Sequence, residues 1–180
     1  VPAIHEPLTN EDLWDWDRMT AALAATDAWW VPGTRHAYHT NTYGFLVGEV
    51  VRRLTGDRPG ARLRPLAHEL DADLWFGLPT REHHRCAEII WALDGGLPAM
   101  ADLTDDLDPD LRMELTSYVN PPGFASIGVV NTPAWRLAEV PSTNGHGTAR
   151  GVARLYAALL QPGRLLSPAL LAEASSPQST

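Results

Sequence analysis

Lysine is absent from this 180-residue sequence: all 14 of its Lys+Arg positions are arginine. No amine base, Schiff-base lysine or P-loop lysine can therefore come from these residues. Cysteine occurs once, at Cys86, which excludes an internal disulfide. Its place before the apolar run 87–92 predicts a buried, inert thiol. A basic surplus is also missing, since the formal net charge is −8. Nucleic acids and anionic membrane surfaces need a positive footprint, so neither is expected as a partner. No apolar run approaches the roughly 20 residues of a membrane span, and no signal-peptide pattern opens the sequence. Internal repeats and low-complexity segments are absent as well.

What is present is globular composition, 44% hydrophobic and 20% charged. Val1-Pro2-Ala3-Ile4 reads as mid-chain, and the run 175–180 supplies no closing element. The expectation is one domain over residues 1–180, incomplete at both ends. Helical periodicity dominates. Leu13, Trp16, Met19 and Leu23 predict a helix from Asp12, capped by Thr9 or Asn10. A second helix opens at Thr42 or Tyr43, with Leu46, Val47, Val50, Val51 and Leu54 as its apolar face and Gly56 as its stop. Further helices are predicted over 64–70, 110–119, 132–137 and 167–174. The run 148–160 keeps helical spacing at Val152, Leu155, Tyr156, Leu159 and Leu160, with Thr148 as N-cap. Asp73 to Phe76 reads as a short extended piece, and 87–93 as a strand around Ile89-Ile90-Trp91.

Complete catalytic constellations are not found. Gly123-Phe124-Ala125-Ser126-Ile127-Gly128 has one residue too many before its serine to be a nucleophile elbow. Asp94-Gly95-Gly96-Leu97 lacks the Lys-Ser/Thr of a phosphate loop. His36 with His39, and His83 and His84 with Glu82, lack metal-ligand spacing, so solvated or core histidines are expected and no metal or cofactor.

The informative stretch runs from Trp30 through Pro32-Gly33-Thr34, Tyr38-His39-Thr40-Asn41-Thr42-Tyr43-Gly44 to Gly48-Glu49. Pro-Gly makes a turn, a short arm carries Tyr38, and Gly44 and Gly48 let the following helix pack closely. A tyrosine held on a loop before a helix can present its hydroxyl to a cleft as a general acid or base. Chemistry alone leaves a half-buried packing role for Tyr38 open.

Pro-Gly-Thr-x-x-x-Tyr-His followed by Thr-Tyr-Gly-x-Leu-Val-Gly-Glu resembles the tyrosine motif of family VIII carboxylesterases, relatives of class C β-lactamases. Gly77-Leu78-Pro79, Asn120-Pro121-Pro122-Gly123, Asn131-Thr132-Pro133-Ala134-Trp135-Arg136 and Asn144-Gly145-His146-Gly147-Thr148-Ala149-Arg150 fit the same family in the same order. The likeness spans nearly the whole chain. It implies an α/β parent fold of the β-lactamase/transpeptidase type, with this chain mostly its helical portion plus a few short strands.

The resemblance also implies a serine hydrolase that forms an acyl-enzyme on a small ester or acyl substrate. In that family a serine of a Ser-x-x-Lys motif attacks the carbonyl, and lysine and tyrosine share the base and acid roles. Tyr38 matches the tyrosine. Thr40 stands where a Tyr-x-Asn pattern would have asparagine, which favours an esterase over a β-lactamase. His146 is placed near the cleft rim by resemblance, and a capping or packing role stays open for it. The lysine-bearing motifs would lie before Val1 and after Thr180. The expected partners are therefore those missing N- and C-terminal segments, and the chain alone is expected to be inactive. The alternatives are a non-catalytic binding or scaffold protein on a degenerate version of the fold, and a penicillin-binding or D-amino-acid peptidase relative.

Overall fold

The structure, a computed structural model, describes residues 3–90, 103, 106–125 and 128–177. Helix α1 (Asn10–Trp14) starts where the sequence predicts, under a capping box between Thr9 and Asp12. The single helix expected beyond it is two. The chain turns extended at Asp15, whose carboxylate accepts from Arg18 N at 3.0 Å and so caps α2 (Trp16–Ala25). Helix α3 (Tyr43–Thr55) ends at Gly56 in the left-handed region, with φ 81°. Helix α4 (Pro59–Glu69) begins five residues before the predicted Arg64, because Pro59 suits a first turn, and it accommodates Pro65 within.

Strand β1 (Leu74–Trp75) pairs antiparallel with β2 (His146–Gly147), Leu74 opposite Gly147 and Trp75 opposite His146. A 3₁₀ turn, Thr80–Arg85, follows β1. Helix α5 (Pro109–Val119) is capped by Asp108, and a 3₁₀ turn, Pro122–Ala125, follows it. Helices α6 (Pro133–Leu137), α7 (Ala149–Leu159) and α8 (Pro168–Ala174) each begin under a hydroxyl cap, from Thr132, Thr148 and Ser167.

The strand expected over 87–93 does not form in 87–90, and 91–93 lies outside the described residues. Ile89 instead exchanges both backbone hydrogen bonds with the Asn131 side-chain amide, each at 3.0 Å. An amide side chain pairs with this backbone in place of a neighbouring strand. Cys86 is half-buried, not buried, because it sits at the end of the 3₁₀ turn beside open depressions.

Among the described residues, two apolar clusters hold these elements. The larger gathers Ile4, Leu13, Trp16, Met19, Phe45 and Trp135, with Val140 and Phe124. The smaller joins Ala67, Leu70 and Leu74 to Ala158. Asn120, 1% exposed, binds three backbone groups near the start of the chain: it accepts from Leu8 N and donates to Ile4 O and Glu6 O, each at 2.8 Å.

Helix α3 docks differently from its expected apolar face. Val47, Val50 and Leu54 stand 44%, 57% and 81% exposed, while Gly44, Phe45 and Gly48 are buried. Close approach decides the orientation. A Cβ on Gly48 would lie 2.5 Å from the Trp16 ring, and one on Gly44 would lie 2.5 Å from Ser142 N. Helix α7 likewise leaves Val152, Tyr156 and Leu160 outward. Among the described residues no helix is long and apolar enough to cross a membrane.

Candidate active site

The arm carrying Tyr38 is fastened on both sides. Before it, Thr34 closes a turn onto Val31 O through both its N–H and its hydroxyl, at 3.2 and 2.7 Å. Arg35 lies over the Trp30 ring, 4.8 Å from its centroid, and forms a two-point ion pair with Asp110 at the start of α5. After it, Asn41 donates Nδ2–H to Ser117 O and accepts from Thr143 Oγ1, both at 2.8 Å. His39 Nε2 lies 2.6 Å from Thr42 Oγ1, and its ring meets Tyr43 edge-on. Burial holds the His39 pKa below the usual imidazole value.

Between these anchors Tyr38 is 86% exposed, and its hydroxyl makes no hydrogen bond among the described residues. That removes the half-buried packing role. The ring borders a depression of about 210 Å³ whose other walls are Ala37 and the α5 residues Met113, Glu114, Ser117 and Tyr118. Tyr38 is therefore open to solvent beside space that another group can enter, with Glu114 in the same lining. Thr40 is half-buried and its carbonyl accepts from Tyr43 N at 3.1 Å, at the turn into α3.

His146 occupies β2 at a separate place. It borders a depression of about 400 Å³ with Asp73, Trp75, Glu82, Arg85 and Thr148, and a smaller one with Asn131, Arg136 and Thr143. Its Nδ1 is buried without a partner among the described residues. Burial lowers its pKa; a backbone hydrogen bond with Asn144 opposes this, and the nearby Arg136 and His83 add to the lowering. Tyr38 and His146 thus line different depressions among the described residues.

The link between the two places is the turn 141–144. Thr143 holds Asn41, Ser142 Oγ accepts from Gly44 N, and Asn144 secures the turn from within. Asn144, 2% exposed, donates to Trp135 O and Ala138 O at 2.8 and 2.7 Å and accepts from Val140 N at 2.9 Å. Sequence reasoning missed Asn41 and Thr143. Their pairing spans 102 positions, and nothing local to either residue signals it. Of the other candidate histidines, His36 is exposed, and His83 and His84 bond locally, His83 Nε2 with Leu78 O and His84 Nδ1 with Arg81 O, each at 2.9 Å.

Comparison with known proteins places this geometry in a lineage. The family described as Beta-lactamase matches residues 2–180. Esterase/beta-lactamase LipL of Mycobacterium tuberculosis is 35% identical over 170 residues, covering 87% of this chain and 37% of that protein. A crystal structure of a family VIII carboxylesterase is 33% identical with a TM-score of 0.71, over 95% of this chain and 44% of that one. A penicillin-binding protein homologue from Caulobacter crescentus is 32% identical with a TM-score of 0.68, over 93% of this chain and 43% of the other. The chain thus spans less than half the length of these relatives. Its fold is that of the β-lactamase/transpeptidase type, an α/β parent of which these residues are mostly the helical portion with two short strands described. Matched almost from end to end by the family profile and folded like its solved members, the chain belongs to the β-lactamase family.

Proposed function

We propose that this chain supplies the tyrosine acid/base arm of a serine hydrolase that cleaves esters or related acyl compounds through an acyl-enzyme. The carrying observation is Tyr38: an exposed phenol at a depression, without a hydrogen-bond partner among the described residues, on an arm fastened at Arg35 and Asn41. In this reading a serine of a Ser-x-x-Lys pair, from polypeptide outside these 180 residues, attacks the carbonyl. Tyr38 passes the proton between the serine hydroxyl and the leaving group, and the lysine ammonium favours its phenolate form. Thr40 and His146 contribute to substrate binding, and no cofactor is required. Because the chain contains no lysine, these residues alone are inactive. Residues 1–180 act as one unit, supported by Asn120 tying the first described residues to the end of α5.

The outward apolar residues of α3 and α7 support contact with further polypeptide, since exposed apolar patches of this kind mark interaction surfaces. The test is p-nitrophenyl ester hydrolysis by the full-length polypeptide that carries this chain. Tyr38→Phe is expected to lower the acylation rate by about 10²-fold, the scale of general acid–base catalysis. Unchanged acylation removes Tyr38 from the mechanism.

Two other readings keep specific support. Absence of the Ser-x-x-Lys nucleophile favours a non-catalytic binding or scaffold protein only if no further polypeptide supplies it, and for such a protein no ester turnover is expected. Similarity to the penicillin-binding protein homologue favours a peptidase relative, for which a labelled penicillin acylates the protein faster than a simple ester does.

A further inference from the structure

We infer that Asn41 is the positioning residue for Tyr38, holding the arm in register with the α5 wall of the depression that the phenol borders. The inference rests on the reading of Tyr38 as the acid/base and adds to it the part that keeps the phenol in place.

Asn41 is 4% exposed. A polar side chain buried to that degree costs stability unless its hydrogen bonds are made, and both of these are. Its donor goes to the carbonyl of Ser117 in the last turn of α5, one of the four C-terminal carbonyls that a helix cannot satisfy by itself. Its acceptor takes the Thr143 hydroxyl at 2.8 Å. Ser117 also lines the Tyr38 depression, together with Met113, Glu114 and Tyr118 of the same helix. One amide therefore ties the arm to the wall it faces and, through Thr143, to the turn three residues before His146. The other long-range fastening of the arm, Arg35 with Asp110, is solvent-exposed at 53% and 62% of the two side chains, and an exposed pair of that kind restrains less than a buried amide.

The chemistry of the position calls for an amide. Aspartate would set a carboxylate oxygen against the Ser117 carbonyl. Leucine has the same number of side-chain heavy atoms, though it is bulkier, and it leaves both the carbonyl and the Thr143 hydroxyl without this partner. Misplacing a reacting group by about 1 Å can cost on the order of 10²-fold in rate, so loosening this tether is expected to act on kcat.

The experiment measures p-nitrophenyl ester hydrolysis by the full-length polypeptide bearing N41L, T143V, T143S, Y38F and the pair Y38F/N41L. N41L is expected to lower kcat about tenfold or more, with KM changed less than twofold, and to shift the limb of the pH–rate profile assigned to the tyrosine. In the Y38F background N41L adds no further loss, because the group it positions is gone. T143V, which removes one of the two bonds, lowers kcat in the same sense, and T143S recovers most of what T143V loses. Should N41L fail to fold, the T143V and T143S pair, each made with and without Y38F, carries the same comparison. Losses that multiply with Y38F, or a kcat that neither N41L nor T143V changes, overturn the positioning role. Unchanged acylation in Y38F alone overturns the acid/base reading itself, a distinct result.

Discussion

Trp16 donates its indole N–H to Glu49 Oε2 at 3.0 Å, joining α2 to α3 beside the larger core. Glu49 also accepts from Arg52 Nε at 2.7 Å and from Arg53 Nε at 2.8 Å. These donors, the Arg52 bond foremost, hold its carboxyl down to about 2. A carboxylate with a depressed folded pKa contributes stability above the unfolded value and loses it as pH falls through the folded one. The native fold should therefore lose stability between about pH 4.5 and pH 2 partly through Glu49. Glu49→Gln is expected to be less stable at pH 7 and to show a shallower acid limb. Parallel urea-unfolding profiles for the two proteins across pH 5 to 2.5 would refute this.

Gly48 sets the α2–α3 separation. An added methyl would meet the Trp16 ring at 2.5 Å and Pro59 Cγ at 2.8 Å, groups held by the core and by the first turn of α4. Gly48→Ala is expected to cost about 1–3 kcal/mol by overpacking, against a gain in helix propensity of under about 1 kcal/mol. Leu54→Ala on the outward face of the same helix should change stability by less than about 0.5 kcal/mol. Thermal melts of the two variants compare the cases directly, and similar shifts would mean that α3 packs through another face.

Asn144 satisfies three backbone groups from a fully buried position. Asn144→Ala leaves those groups without this partner, at roughly 1–3 kcal/mol for each one not recovered by water or relaxation. A loss of about 3 kcal/mol in denaturant unfolding is expected, near the upper end for point mutants. A loss under about 1 kcal/mol would show that the 135–144 loop holds its shape by packing alone.

The outward apolar residues should govern association rather than folding. In the isolated chain, Leu54→Glu with Leu160→Glu is expected to reduce self-association in sedimentation, with little change in melting temperature, because both side chains are about four-fifths exposed. A cooperative, monodisperse wild-type chain that the double variant leaves unaltered would count against an interaction surface there.

Much of the secondary structure was legible because its signals are local. Thr9, Thr132, Thr148 and Ser167 precede helical runs and cap them in the structure. The break at Asp15 was not legible, since Leu13, Trp16, Met19 and Leu23 keep one helical period through it. The direction in which α3 faces was half legible. Gly44 and Gly48 marked a close-packing side, yet the valine and leucine stripe drew the apolar face the wrong way. Tyr38 stood out through its neighbours in sequence, whereas Asn41 and Asn144 owe their roles to burial and to partners that only tertiary contact reveals. The amide of Asn131 that replaces a strand partner for Ile89 belongs with them, because a periodicity argument sees the apolar run and not the side chain beside it.

Segments outside helices and strands often open at little free-energy cost. Here one carboxamide at position 120 clasps the backbone of residues 4, 6 and 8 to the far end of α5, like a latch joining the two sides of a hoop. The opening stretch and the close of that helix should therefore exchange amide protons as a single cooperative unit.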